Sequence, residues 1–255
     1  DVYKRQVNQF TISAGGINPL RSASGFSGHS AYEALIEKSK NSYHSMVAQY
    51  ARTQKNSITS SELVSSALNA TSDSVQTSFP AQNDLASRLQ MVAKLIGASD
   101  VLGSQKQVFF VPMMGWDTHG SQARDHPDLL SELGGALGAF NTAVEQMGVS
   151  DKVTTFTASE FGRTLTVNGD GTDHGWGGHA LVMGGAVAGG DIYGQMPVLA
   201  QGGPDEVDNS RIVPTTSVDE YGATLARWFG VSDSDLDVIF PNLHRFDNRN
   251  LGFMA

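Results

Sequence analysis

Three short segments group acidic residues and histidines that could do chemistry with a cation. In Gly115-Trp116-Asp117-Thr118-His119, the aspartate and the histidine stand two apart. Extended backbone turns both to the same side, so Asp117 and His119 can reach one ion. Alternatively, Asp117 caps a turn beside a surface histidine. In Ser159-Glu160-Phe161-Gly162-Arg163, Glu160 can serve a cation. The guanidinium fork of Arg163 matches phosphate or sulfate oxygens. The same two residues could instead pair with each other and fix the loop. The densest segment is Thr172 to His179 (TDHGWGGH), where Asp173, His174 and His179 stand among glycines that let backbone approach an ion closely. Trp176 within it either walls a pocket or packs. The chain has no cysteine, so any metal must be held by oxygen and imidazole ligands.

Other residues of the same types carry less. His126 precedes Pro127 and reads as a helix-start residue, although it lies close to His119 in sequence. His29, His44 and His244 take surface or packing roles, and Asp125, Asp128 and Asp170 suit turn and helix starts.

The elements that must position these segments alternate as in an α/β protein. Gln107 to Met113 (QVFFVPM) is an apolar run suited to a buried strand, with Pro112 near its end. Leu129, Leu130, Leu133, Leu137, Phe140, Val144 and Met147 recur at helical spacing, which predicts a helix from about Pro127 that stops at Gly148. Lys152 to Ala158 (KVTTFTA), rich in β-branched residues, predicts a second strand, and the three together make a βαβ unit. Asp117 and Glu160 then follow directly on strands, where open α/β sheets place their ligand sites. Asn168 to His179 reads as a glycine-rich loop, Ala180 to Met183 as a strand, and Ser217 to Glu220 (SVDE) as a capping box opening a helix through Phe229.

Upstream, residues 7 to 30 are rich in glycine and serine and read as loop. Ala31 to about Ala70 is polar and helical in character, with Tyr32, Leu35, Ile36, Tyr43, Met46, Val47 and Tyr50 at near-helical spacing. Ser72 to Asp84 is a polar linker, and Leu85, Leu89, Val92 and Ile96 mark a helix ending near Gly97. We therefore expect a flanking region over residues 1–80 and the metal-site α/β domain over 81–255.

At 255 residues and 40% hydrophobic content the chain can bury a real core. A formal charge of -9 and a pI near 5.1, with no cluster of Lys and Arg, argue against a nucleic-acid partner. No run approaches the roughly 20 apolar residues of a membrane span. The chain starts at Asp1, and DVYKRQ resembles a translated sequencing adapter, so we expect an N-terminally truncated fragment.

The ordered motifs GWDTHGSQ, TASEFGRT, TDHGWGGHALVMGGAVAGGDIYG and RIVPTTSVDEYGATLARWFGV, from about Val108 to Asn242, resemble the family called domain of unknown function 1501. That family is similar to the superfamily of alkaline phosphatases, sulfatases and cofactor-independent phosphoglycerate mutases. The resemblance implies an alkaline phosphatase-like α/β fold, a mostly parallel sheet flanked by helices, and metal-dependent hydrolysis of phosphate or sulfate esters. It also implies metal-ligand roles for Asp117, His119, Glu160, Asp173, His174 and His179. In that superfamily the nucleophile and a further metal-binding aspartate lie on an N-terminal strand and the helix after it. Here AGGIN at Ala14 to Asn18 lacks the acid, so we expect the N-terminal strand to be missing and the fragment to be impaired.

Imidazole with carboxylate favours zinc or manganese over calcium or magnesium as the divalent metal. Arg163 would steady the substrate's equatorial oxygens as the catalytic residue. The expected substrate is a small anionic ester or a sulfated or phosphorylated glycan, and the resemblance places the full-length parent in the periplasm or outside the cell. The rival reading is a non-catalytic exported binding protein that keeps the fold and the metal.

Overall fold

The computed structural model describes residues 11–17, 27–208 and 210–255. The segment DVYKRQ, part of the expected loop over residues 7 to 30, and Asn18 of AGGIN lie outside them. The chain divides into two compact units, residues 1–111 and 112–255.

In the first unit, α1 (His29–Ser39) and α2 (Ser45–Ala70) share a small core of Ile36, Ala51 and Ile58, covered by Tyr32. The helical spacing of Tyr43, Met46, Val47 and Tyr50 predicts helix, and all but Tyr43 lie on α2. That stripe nonetheless faces solvent, while the buried face of α2 is Ala48, Ala51, Ile58, Val64 and Ala67. Asn83 caps α3 (Asp84–Gly97) by accepting from the Ala86 amide at 2.7 Å, which satisfies one of the free N–H groups of the first turn. Met91 and Leu95 of α3 pack with Val64 of α2, so the segment after residue 80 shares its core with the helices before it. The short α4 (Ser99–Leu102) ends at Gly103, whose φ of +63° is the left-handed conformation glycine adopts without strain.

The second unit carries the candidate site. Helix α5 (Gln122–Gln146) begins five residues before Pro127 and accommodates that proline inside. It buries Ala136, Phe140, Ala143 and Val144 and stops short of Gly148, as the spacing predicts. Strand β1 (Thr154–Phe156) lies inside the expected Lys152 to Ala158 and pairs with β4 (Val182–Gly184) in antiparallel register, Thr155 opposite Met183. Strands β2 (Gly162–Val167) and β3 (Thr172–Gly175) form an antiparallel hairpin with an irregularity between Arg163 and Val167. Short β5 (Glu206–Val207) and β6 (Arg211–Ile212) pair likewise. Helix α6 (Val218–Trp228) is opened by the capping box of Ser217 and Glu220, and α7 (Asp233–Ile239) packs on it through Ala223 and Leu236, with Leu243 just beyond α7 completing the cluster.

Two expectations need correction. Gln107 to Met113 forms no strand, and Val108 and Phe110 are exposed. β-branched and aromatic content favours extended backbone, but a strand also needs a ladder partner, which local sequence cannot supply. The glycine-rich stretch from Asn168 to His179 is not all loop, because β3 runs through it. Here glycine serves close approach: a side chain at Gly175 would put its Cβ 2.8 Å from the Arg163 carbonyl oxygen across the ladder. Every strand pair among the described residues is antiparallel.

Candidate metal centre

The segment before α5 presents its residues in alternation. Asp117 and His119 are exposed and Thr118 between them is buried, as a two-residue period requires. The Thr118 amide donates to the Trp116 carbonyl at 2.9 Å, which tightens the backbone around Asp117. The hairpin turn then closes on this segment. The Gln122 amide donates to the Asp170 carbonyl at 3.0 Å, and the Thr172 hydroxyl donates to Gln122 Oε1 at 3.0 Å. Gly171 presses so closely on the backbone of Thr118 and His119 that any Cβ there would collide with their carbonyl groups.

These contacts bring two distant segments around one carboxylate oxygen. Asp117 Oδ1 lies 2.7 Å from His174 Nε2 and 3.1 Å from His119 Nε2. The ligand atoms of Asp117, His119 and His174 all lie within 4.8 Å of one another. A tetrahedral ion with nitrogen and oxygen ligands at about 2.0–2.1 Å separates them by about 3.3 Å. The two short contacts would therefore open, by about 0.6 Å and 0.2 Å, to admit an ion. The three side chains are 60%, 49% and 45% exposed and have room to do so. Two imidazoles and one carboxylate, with further positions left to solvent or substrate, suit zinc or manganese.

Aromatic rings fix the orientation of the imidazoles. His174 stacks on Phe161 with ring centroids 3.9 Å apart and planes 3° from parallel, and its other neighbour is the His119 ring at 4.9 Å. Asp173 faces the other edge of His119, its Oδ1 being 3.4 Å from Nδ1, and the same oxygen accepts from Asn168 Nδ2 at 2.6 Å. Asp173 thus touches the cluster through His119. Glu160 and His179 are exposed and stand outside the trio.

Arg163 is half-buried and braces the site. Its Nη1 donates to the Thr172 carbonyl at 2.6 Å and its Nη2 to the Trp116 carbonyl at 2.5 Å, so one side chain ties the hairpin to the Asp117 segment. Nη2 also lies 3.5 Å from Asp117 Oδ1. The partner of Arg163 is therefore Asp117, and Glu160 is not involved. The Asp117 carboxyl is held below the usual carboxylate range, first by its hydrogen bond with His174 and then by the charges of His119, His174 and Arg163, against some opposing desolvation.

Sequence reasoning passed over Phe161, Asn168 and Arg211. Arg211 donates from Nε to the His174 carbonyl at 3.2 Å and is anchored by Asp208 through Nη1 at 2.7 Å. Phe161 and Asn168 lie inside or beside the segments singled out, and their polar or aromatic character next to ligand candidates is the only local signal they give. His126 meets Trp116 edge to face at 5.4 Å and takes a packing role.

No curated protein and no solved structure matches the chain. Residues 21–239, which include all three site segments, match the family described as protein of unknown function (DUF1501), and the chain belongs to that family.

Proposed function

We propose that the protein is a metal-dependent hydrolase of phosphate or sulfate esters, built on an alkaline phosphatase-like α/β scaffold. The observation that carries this reading is the convergence of Asp117, His119 and His174 on one point, from segments that sequence alone keeps far apart. Asp173 joins through His119, and Glu160 and His179, which flank the β2–β3 hairpin outside the trio, are the remaining members of the proposed ligand set. A bound zinc or manganese ion would polarise the ester oxygen and lower the pKa of a water or hydroxyl nucleophile. Asp117 would supply the negative charge that holds the cation, and Phe161 keeps the His174 ring aligned towards it. Arg163 uses two of its nitrogens to position the site and retains N–H groups that could meet substrate oxygens, since a guanidinium carries five donors. By family resemblance the protein would act in the periplasm or outside the cell.

The test is elemental analysis of the purified, dialysed protein, followed by assays on phenyl phosphate and phenyl sulfate with added zinc or manganese. The expected result is bound metal near stoichiometry and metal-stimulated release of phenol from one ester. Metal near zero would end the proposal. One feature favours a second reading, binding without turnover: the trio lies open on the surface, where water is not excluded. Bound metal with no turnover of either ester would decide for that reading.

A further inference from the structure

We propose that Trp176 is a stacking platform for the ring of a substrate, so that the ester hydrolysed at the neighbouring cluster is one borne on an aryl or sugar ring. The ester chemistry rests on the reading above, whereas the ring site rests on Trp176 itself. Trp176 is 60% exposed, and its indole makes no hydrogen bond or ring contact among the described residues. The other two tryptophans are partly buried, Trp116 against His126. Indole is large and mostly apolar, and it is normally covered unless a partner covers it.

The position of Trp176 links it to the cluster. It stands two residues after His174, at a bend just past the end of β3, so its Cα lies within about 7 Å of that of His174. The backbone that carries it is clamped on both sides. A Cβ at Gly175 would come within 2.8 Å of the Arg163 carbonyl oxygen, and one at Gly177 within 3.0 Å of the Ile212 carbonyl oxygen. Gly162 also presses on the Gly177 carbonyl. An aromatic held on backbone this constrained loses little freedom on binding, which is what a preorganised recognition surface requires. Phe161 already spends one face on His174, whereas Trp176, two residues from that histidine in the chain, keeps its ring exposed. A flat uncharged ring prefers a ring ligand over an acyclic one, through stacking with an arene or contact with the C–H face of a sugar.

The experiment measures zinc-loaded protein by calorimetry against methylphosphonate, phenylphosphonate and glucose 6-phosphate, in the native chain, Trp176→Phe and Trp176→Ala. We expect a ring-bearing anion to bind roughly fivefold to tenfold tighter than methylphosphonate in the native chain and in Trp176→Phe. The preference should fall to near unity in Trp176→Ala, with methylphosphonate affinity the same in all three. Preference for phenylphosphonate would identify an aryl substrate, and preference for glucose 6-phosphate a sugar. A preference that survives in Trp176→Ala, or native protein that binds methylphosphonate without favouring rings, would overturn the platform and leave the ester reading standing. If none of the anions binds, the ester reading falls, and phenol and methyl glucoside decide the ring site through tryptophan fluorescence. Quenching that is lost in Trp176→Ala would support it, and absence of quenching would overturn it.

Discussion

Asp117 Oδ1 lies 2.7 Å from His174 Nε2 across a sequence separation of 57 residues, and the same oxygen faces His119 Nε2 and the Arg163 guanidinium. One atom is thus the hub of the site. Asp117→Ala should lower zinc affinity by more than about 100-fold, since even outer-shell partners are worth 10–100-fold. The melting temperature of metal-free protein should stay near that of the native chain, because exposed ion pairs contribute little to stability. The rise in melting temperature on adding zinc should disappear. Zinc titration followed by thermal unfolding checks both, and an undiminished zinc-induced rise in Asp117→Ala would remove Asp117 from the centre.

The same hub sets a pH dependence. The folded Asp117 carboxyl holds its proton less tightly than an unfolded aspartate, chiefly because it is hydrogen-bonded to His174. Its contribution to stability is therefore present above the unfolded value near 3.9 and is lost as the pH falls through the lower folded value. Melting curves of metal-free protein between about pH 5 and 2 should fall more steeply for the native chain than for Asp117→Asn. Identical slopes would mean that the carboxylate gains nothing from its neighbours. The difference should be small and should shrink with added salt, because the group is exposed.

How much of this was legible depended on the range of the forces involved. Alternation at Asp117, Thr118 and His119 is local, and so is the SVDE capping box; both follow from the spacing of a few residues. The stop of α5 before Gly148 is local for the same reason. The β2–β3 hairpin was hidden because glycine there signals flexibility in sequence and close packing in structure. The role of Arg163 was hidden because a guanidinium fork fits two carbonyls as well as two anionic oxygens, and the carbonyls of Trp116 and Thr172 are distant in sequence. Glu160 and His179 have the right chemistry, but their separation from the trio is set by pairing that composition does not encode. The exposed stripe of Tyr43, Met46 and Val47 shows the same limit, since periodicity foretold helix without telling which face would be covered.

Two glycines should respond to alanine in opposite directions. Gly171→Ala would drive a Cβ into the carbonyl groups of Thr118 and His119, which are backbone and cannot rotate away. The expected cost is about 1–3 kcal/mol, with a parallel loss of zinc affinity as His119 is displaced. Gly134 lies inside α5, and no atom stands within 4 Å of the place its Cβ would take, so Gly134→Ala should stabilise by about 0.5–1 kcal/mol through helix propensity alone. Urea unfolding measures both. Equal effects at the two sites would contradict the close approach at Gly171.

Glu220 carries more than a helix start. Its Oε2 accepts from the Ser217 amide at 2.8 Å and closes the capping box, while its Oε1 accepts from the Asn248 amide at 3.3 Å and pins the C-terminal segment to α6. One turn on, the buried Thr224 hydroxyl donates to the Glu220 carbonyl and accepts from the Leu251 amide, both at 2.9 Å, so the two residues form a second strap to the same segment. Glu220→Ala leaves both Ser217 and Asn248 without their acceptor and should cost about 1–3 kcal/mol. Glu220→Gln keeps one acceptor oxygen and should cost less. Thr224→Val keeps the shape but removes the strap and should cost about 1–2 kcal/mol. Because Glu220 and Thr224 hold the same segment, the double variant should lose less than the sum of the singles. Urea unfolding of the four chains closes that cycle, and strict additivity would mean that the two straps act independently.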